Sequence, residues 1–255
     1  MKKVYVCNDS VTGIFSAIYE AWKTKLLEEQ VGIAIKGRME QEFFCEYIEV
    51  EETEKKAIAV ERLIRQHLGE QAYRCIYYAI LAEDEKKGDA VLGAMLEAKR
   101  IPDSHRIMEH LSHPKVGRVF ELSRKVSNEA HYYIEFVRFA ELENGVLFSE
   151  IEPKAEVLSC LGDHFANRFP LENWMIYDKT HRTFLIHEKG KQWMLAVDVE
   201  LNRDISGRLS ASERLYVKLW KGFFENISIR ERESYEMQRQ HLPLHFREHM
   251  TEFEE

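Results

Sequence analysis

The chain has 255 residues, 45% of them hydrophobic and 31% charged, with a formal net charge of −8. Such a composition belongs to a globular protein large enough for one big core or two small ones, and it excludes a disordered chain. The acidic balance also excludes a general, salt-driven nucleic-acid binder, while leaving room for a local basic groove.

The opening MKKVYVCNDSVTG has no long apolar run and no small-residue cleavage site, so it reads as a first strand rather than a signal peptide. No run of eighteen apolar residues occurs, and no membrane span is expected. Val4–Cys7 is a short strand by its β-branched and aromatic content. Asn8-Asp9-Ser10 forms a turn and helix cap, and Ile14, Ile18, Ala21 and Trp22 follow at helical spacing. Gly32–Ile35 and the apolar stretch Phe43–Val50 give two further strands, completing a small α/β layer.

From Glu54 to Arg100 the pattern is helical, with stripes at Ile58, Ala59, Leu63 and Ile64, at Ile76, Tyr77, Ile80 and Leu81, and at Val91, Leu92, Met95 and Leu96. Pro102 and Pro114 bracket a short helix ending at His113, which sets a boundary between regions 1–113 and 114–255. A helix then spans Lys115–Glu135. The runs Phe136–Phe139 and Val146–Glu150 flank Glu143-Asn144-Gly145, the strongest short-range hairpin signal. After a helix over Ala155–Phe165, the strands Trp174–Tyr177, Thr183–Ile186 and Trp193–Val197 form a meander. An amphipathic helix carries Leu215, Leu219, Trp220 and Phe223. The fold class is α+β: a small N-terminal α/β layer with helices, then an antiparallel sheet of hairpin plus meander packed with helices.

Cys7, Cys45, Cys75 and Cys160 are scattered, without a CxxC pair or a Cys/His knuckle. They read as reduced core residues of a cytoplasmic protein, with neither a metal nor a cofactor expected.

Four stretches could carry chemistry. The turn Asn8, Asp9, Ser10, Thr12, Gly13 offers helix N-terminal amides to a phosphate or carboxylate, although Asp9 or Ser10 acting as a simple cap explains it equally. Arg124, Asn128, His131 and Glu135 share one helix face, which suits an oriented acid–base pair or an ordinary solvated face. In the stretch His164–Arg182, His164 and Arg168 lie one helical turn apart, Pro170 stops the helix, and alternation puts Trp174 and Ile176 opposite Met175 and Tyr177. Asp178 begins the next turn, where Asp is favoured for its own backbone bonding. Finally, Arg230–Arg247 interleaves arginines with Tyr235 and Phe246, which suits phosphates and stacked bases or a salt-bridged exposed helix.

Five segments, VYVCNDSVTGIFSAIYEAW, VSNEAHYYIEFVRF, HFANRFPLENWMIYD, LWKGFFENISIRER and LPLHFREHMTEF, together resemble a bacterial family of DNA-metabolism or DNA-repair proteins. Members are typically encoded beside a radical-SAM DNA modification or repair protein, and a related domain occurs fused to a uracil-DNA glycosylase-like domain. The resemblance runs along essentially the whole chain. It matches Asp9, Gly13, His131, Arg138, Phe139, His164, Arg168, Phe169, Trp174, Asp178, Pro243 and Arg247, and departs at Glu233-Ser234. It implies a role in DNA repair or modification with a radical-SAM partner, and no established reaction.

The leading expectation is a protein that binds single-stranded or damaged DNA. Arg138, Arg168, Arg182, Arg230 and Arg247 would contact phosphates, Trp174 or Tyr177 would stack a base, and Asn8, Ser10, Thr12 and Gly13 would hold an anion. One alternative is a nucleic-acid-directed hydrolase or lyase in which His131, His164 and Asp178 converge. The other is a non-catalytic adaptor for the radical-SAM protein.

Overall fold

A computed structural model describes residues 1–39, 43–199, 209–227, 234, 236, 242–247, 250 and 253. The chain divides into two compact units, Met1–Asn128 and Glu129–Glu255.

The N-terminal unit is built on three parallel strands, β1 (Lys2–Cys7), β2 (Val31–Ile35) and β3 (Cys45–Glu49), in the order β2-β1-β3. Helix α1 (Val11–Lys23) starts where Ser10 takes up extended backbone and its Oγ accepts the Gly13 amide at 2.9 Å. Its apolar residues Ile14, Phe15 and Ile18 are enclosed, and α1 packs on both the sheet and α2 (Glu54–Leu81). α2 opens on the Thr53 cap, and Gly69 at φ +86° breaks its helical path. A β-carbon on Gly69 would meet the His105 ring at 2.9 Å, so the break and the close approach both require glycine. Helix α3 (Lys87–Ala98) buries Val91, Leu92 and Met95 and packs against β2, and a 3₁₀ segment at Ser104–Glu109 packs on α2.

Helix α4 (Pro114–Phe136) leads into the C-terminal unit. Its sheet has five strands, β4 (Ala140–Glu141), β5 (Leu147–Ile151), β6 (Trp174–Asp178), β7 (Thr183–His187) and β8 (Met194–Ala196), in that order. The Asn144-Gly145 hairpin is present, with Gly145 at φ +78° and its amide on the Leu142 carbonyl. Two features differ from the sequence expectation. Phe136 closes α4 and residues 137–139 are irregular, so the first hairpin strand is only Ala140–Glu141. The hairpin and the meander are each antiparallel, but β5 joins β6 in parallel, because helix α5 (Leu158–Arg168) carries the chain back between them.

Register fixes two faces. On one, Phe148, Tyr177 and Phe184 pack with Leu142. On the other, Trp174 and Ile176 are enclosed, and α5 packs on β7 and β8. Helix α6 (Ala211–Ile227) follows, and Phe246 in the short helix Leu244–Arg247 is buried against Tyr132, Tyr133 and Phe136. Among the described residues, no helix is long and apolar enough to cross a membrane. The four cysteines form no disulfide, and burial, with Glu52 and Asp9, pushes the Cys7 thiol up to about 12.

Candidate nucleic-acid interface

The end of α4, the end of α5 and the start of α6 enclose a groove of about 570 Å³ in the C-terminal unit. Arg138 and Arg168 stand on its walls with Phe139, Phe169, Tyr216 and Trp220. Pro170 ends α5 so that Arg168 is its last residue, with the guanidinium 5.6 Å from the Phe169 ring centre. Arg138 is fixed from below, its Nη1 donating to the carbonyls of Glu135 (3.2 Å) and Val137 (3.5 Å). Two carboxylates also line the groove, and both have other work. Glu213 accepts the Glu141 amide at 3.2 Å, and Glu135 meets the His131 Nε2 at 3.1 Å. The groove lining thus carries two arginines and two glutamates.

Helix α6 is the expected amphipathic helix, and its apolar residues Leu215, Leu219, Trp220 and Phe223 are all exposed together with Tyr216, Tyr216 to 66% and Trp220 to 44%. Trp220 and Phe223 stack loosely, 5.9 Å apart. Tyr216 escaped notice as a site residue, although it sits one helical turn before Trp220; apolar period alone does not tell a core stripe from an exposed one.

Trp174 and Tyr177 require a correction. Trp174 is 1% exposed, stacked on His187 at 5.0 Å and edge-on to Phe139 and Phe165, and Tyr177 sits in the opposite core against Phe184 at 4.5 Å. Both rings are spent on sheet packing and cannot receive a base. Arg182 and Arg247 do not line the groove. Arg182 is exposed on the β6–β7 turn at φ +53°, and Arg247 donates to the Leu242 carbonyl and lies 4.9 Å from the Phe253 ring centre. Arg230 lies outside the described residues.

The members of the expected catalytic trio each have partners of their own. None of His131, His164 and Asp178 hydrogen-bonds or ion-pairs with another. His131 and Glu135 make a solvated i,i+4 pair, with the His131 side chain 70% exposed. His164 packs edge-on to Phe165 at 5.0 Å, and burial, then the nearby Arg168 charge, holds its imidazole below the usual value. Asp178 is 1% exposed and fully engaged by His181: Oδ1 accepts the His181 amide at 3.0 Å and Oδ2 faces its Nδ1 at 2.6 Å. Burial works against protonation of His181, but the hydrogen bond and charge of Asp178, helped by Glu156 and Glu129, outweigh it and raise the imidazole above its usual value. The Asp178-x-x-His181 spacing was the available signal for this pair, which the sequence reading did not single out. Tyr133, pushed up by burial and then by Glu129 and Asp178, completes the neighbourhood.

The turn at Asn8–Gly13 already holds an anion of the chain itself. Glu52 Oε1 accepts the Asn8 amide at 2.6 Å and lies 2.9 Å from where a Gly13 β-carbon would stand. Ser10 caps α1, Thr12 lies in its first turn, and Asp9 pairs with the buried Lys87 at 2.5 Å. An external phosphate would have to displace the Glu52 carboxylate. Among the described residues, no group of three or more His, Cys, Asp or Glu is placed to hold a metal ion.

An α+β protein with a paired-arginine, aromatic groove is thus the class that fold and site define. The chain belongs to the family described as a domain of unknown function, DUF4130, whose model matches residues 85–252. That match takes in the whole C-terminal sheet and the groove, and it leaves out β1, β2 and β3. No curated protein matches the sequence.

Proposed function

We propose that this protein binds DNA, single-stranded or damaged, through the Arg138–Arg168 groove, and that it serves DNA repair or modification alongside a radical-SAM protein. The observation that carries the binding reading is the groove itself. It pairs two arginines with the accessible rings of Tyr216 and Trp220 in a chain that is otherwise acidic. Arginines that grip phosphates and rings that stack unpaired bases are the two components of single-strand recognition. A duplex keeps its bases stacked and offers those rings nothing, so the reading favours unpaired DNA. The repair context and the radical-SAM partner rest on the resemblance of the five sequence segments. The net charge of −8 confines attraction to the groove, where two arginine–phosphate contacts predict a shallow loss of binding with salt.

Fluorescence anisotropy of a labelled single strand and its matched duplex, at low and physiological salt, tests the reading. Preferential binding of the single strand, lost in the Arg138→Ala/Arg168→Ala variant, is the expected result. Absence of binding to any DNA at low salt overturns it.

The adaptor reading draws on the same helix, since Leu215, Leu219 and Phe223 extend the exposed apolar face beyond the groove. Co-purification of the radical-SAM protein with a chain that binds no DNA would favour it.

A further inference from the structure

The N-terminal unit contains a second cavity of about 350 Å³, within the range of small-molecule sites. Its floor is the three-stranded sheet. The register sets Val4 beside Gly32 on one side and Tyr47 on the other, so all three share one sheet face, and each lines the cavity. Gly32 leaves the floor low. A β-carbon there would meet Lys2 Cε at 3.1 Å and Asp89 Oδ1 at 3.2 Å, so the missing side chain is what lets these two groups lie across the strand.

The charge of the lining is opposite to that of the chain. Lys2, Arg38, Lys86 and Lys115 line the cavity with Glu85 and Asp89. Two of the cations are held in place: Asp89 pairs with Lys115, and Asp9 reaches Arg38 at 3.4 Å. Lys86 is the exposed residue at which α3 opens, its amide donating to Asp84 Oδ1 at 3.0 Å. Four cations converging on one cavity make a favourable place for an anion, and the Tyr47 side adds a surface for a ring.

We propose that this cavity binds a nucleotide, its phosphate among Lys2, Arg38, Lys86 and Lys115 and its base against Tyr47. The site lies in the other unit from the DNA groove and largely outside the family match, so it is independent of the groove reading.

Isothermal titration of the full chain with a panel of nucleoside monophosphates, the corresponding nucleosides, and inorganic phosphate tests it. Saturable binding of at least one nucleotide is expected, with nucleosides at least tenfold weaker. Arg38→Ala/Lys86→Glu, both at exposed positions, should lower nucleotide affinity at least tenfold, and Tyr47→Ala should weaken nucleotide without changing phosphate. Arg138→Ala/Arg168→Ala should leave the titration unchanged. No saturation by any nucleotide, or saturation that survives Arg38→Ala/Lys86→Glu, overturns the proposal. Inorganic phosphate binding as tightly as nucleotide overturns it too, since the cavity would then hold only a bare anion.

Discussion

The Asp178 carboxylate and the His181 imidazole meet at 2.6 Å, and the same carboxylate also accepts the His181 amide. One side chain thereby closes the β6–β7 turn and holds a proton on the neighbouring ring. The raised His181 pKa fixes the sign of its pH dependence. Its contribution to stability is complete below the unfolded value, about 6.5, and is lost as pH rises through the higher folded value. An NMR titration should find His181 above the usual histidine range, and Asp178→Asn should bring it down, because burial then acts with less opposition. A His181 titration unchanged in Asp178→Asn would contradict this account.

His164 should behave in the opposite sense. Its lowered pKa means that the unfolded chain takes up a proton more readily near pH 6, so this residue costs stability as pH falls through the unfolded value. Arg168→Gln removes the secondary, charge-based cause and should raise the His164 pKa part of the way, measured in the same titration.

Each groove arginine should contribute separately to DNA binding. Arg168→Ala or Arg138→Ala is expected to weaken single-strand affinity for every sequence alike and to reduce the salt slope by about 1. Anisotropy titrations at several salt concentrations read both quantities.

The tryptophans should divide by environment. Trp220→Ala is expected to weaken single-strand binding by about 1–3 kcal/mol, the value of one stacked base, with little effect on thermal unfolding. Trp174→Ala should instead cost about 3–5 kcal/mol of stability, because it empties the core between α5 and the sheet. Denaturant unfolding together with anisotropy separates the two.

Gly162 on α5 faces the Trp193 indole so closely that a β-carbon would overlap the ring. The indole is fixed there by its Nε1 donating to Asp163 at 2.7 Å. Gly162→Ala should therefore destabilise the C-terminal unit by about 1–3 kcal/mol, despite the better helix propensity of alanine, and Trp193→Ala should relieve the penalty in a double-mutant cycle.

Local order of the chain was legible in the sequence because its causes are local. The β-branched and aromatic content of Val4–Cys7, the alternation in Trp174–Tyr177, the Asn144-Gly145 turn, the Ser10 cap and the Pro170 stop each act through neighbours a few residues away, and each is found where those rules place it. The α+β class follows from the order of such elements. Pairing across distance is another matter. Whether β5 meets β6 in parallel depends on the path of α5, and no residue of either strand encodes it. Burial likewise is a property of the packed whole. Trp174 and Trp220 are the same residue in similarly apolar surroundings, yet one is sealed between a helix and a sheet while the other faces the groove. Sequence singled out Arg138 and Arg168 as cations; only the tertiary structure set them on one groove, because the ends of α4 and α5 converge in space and not along the chain.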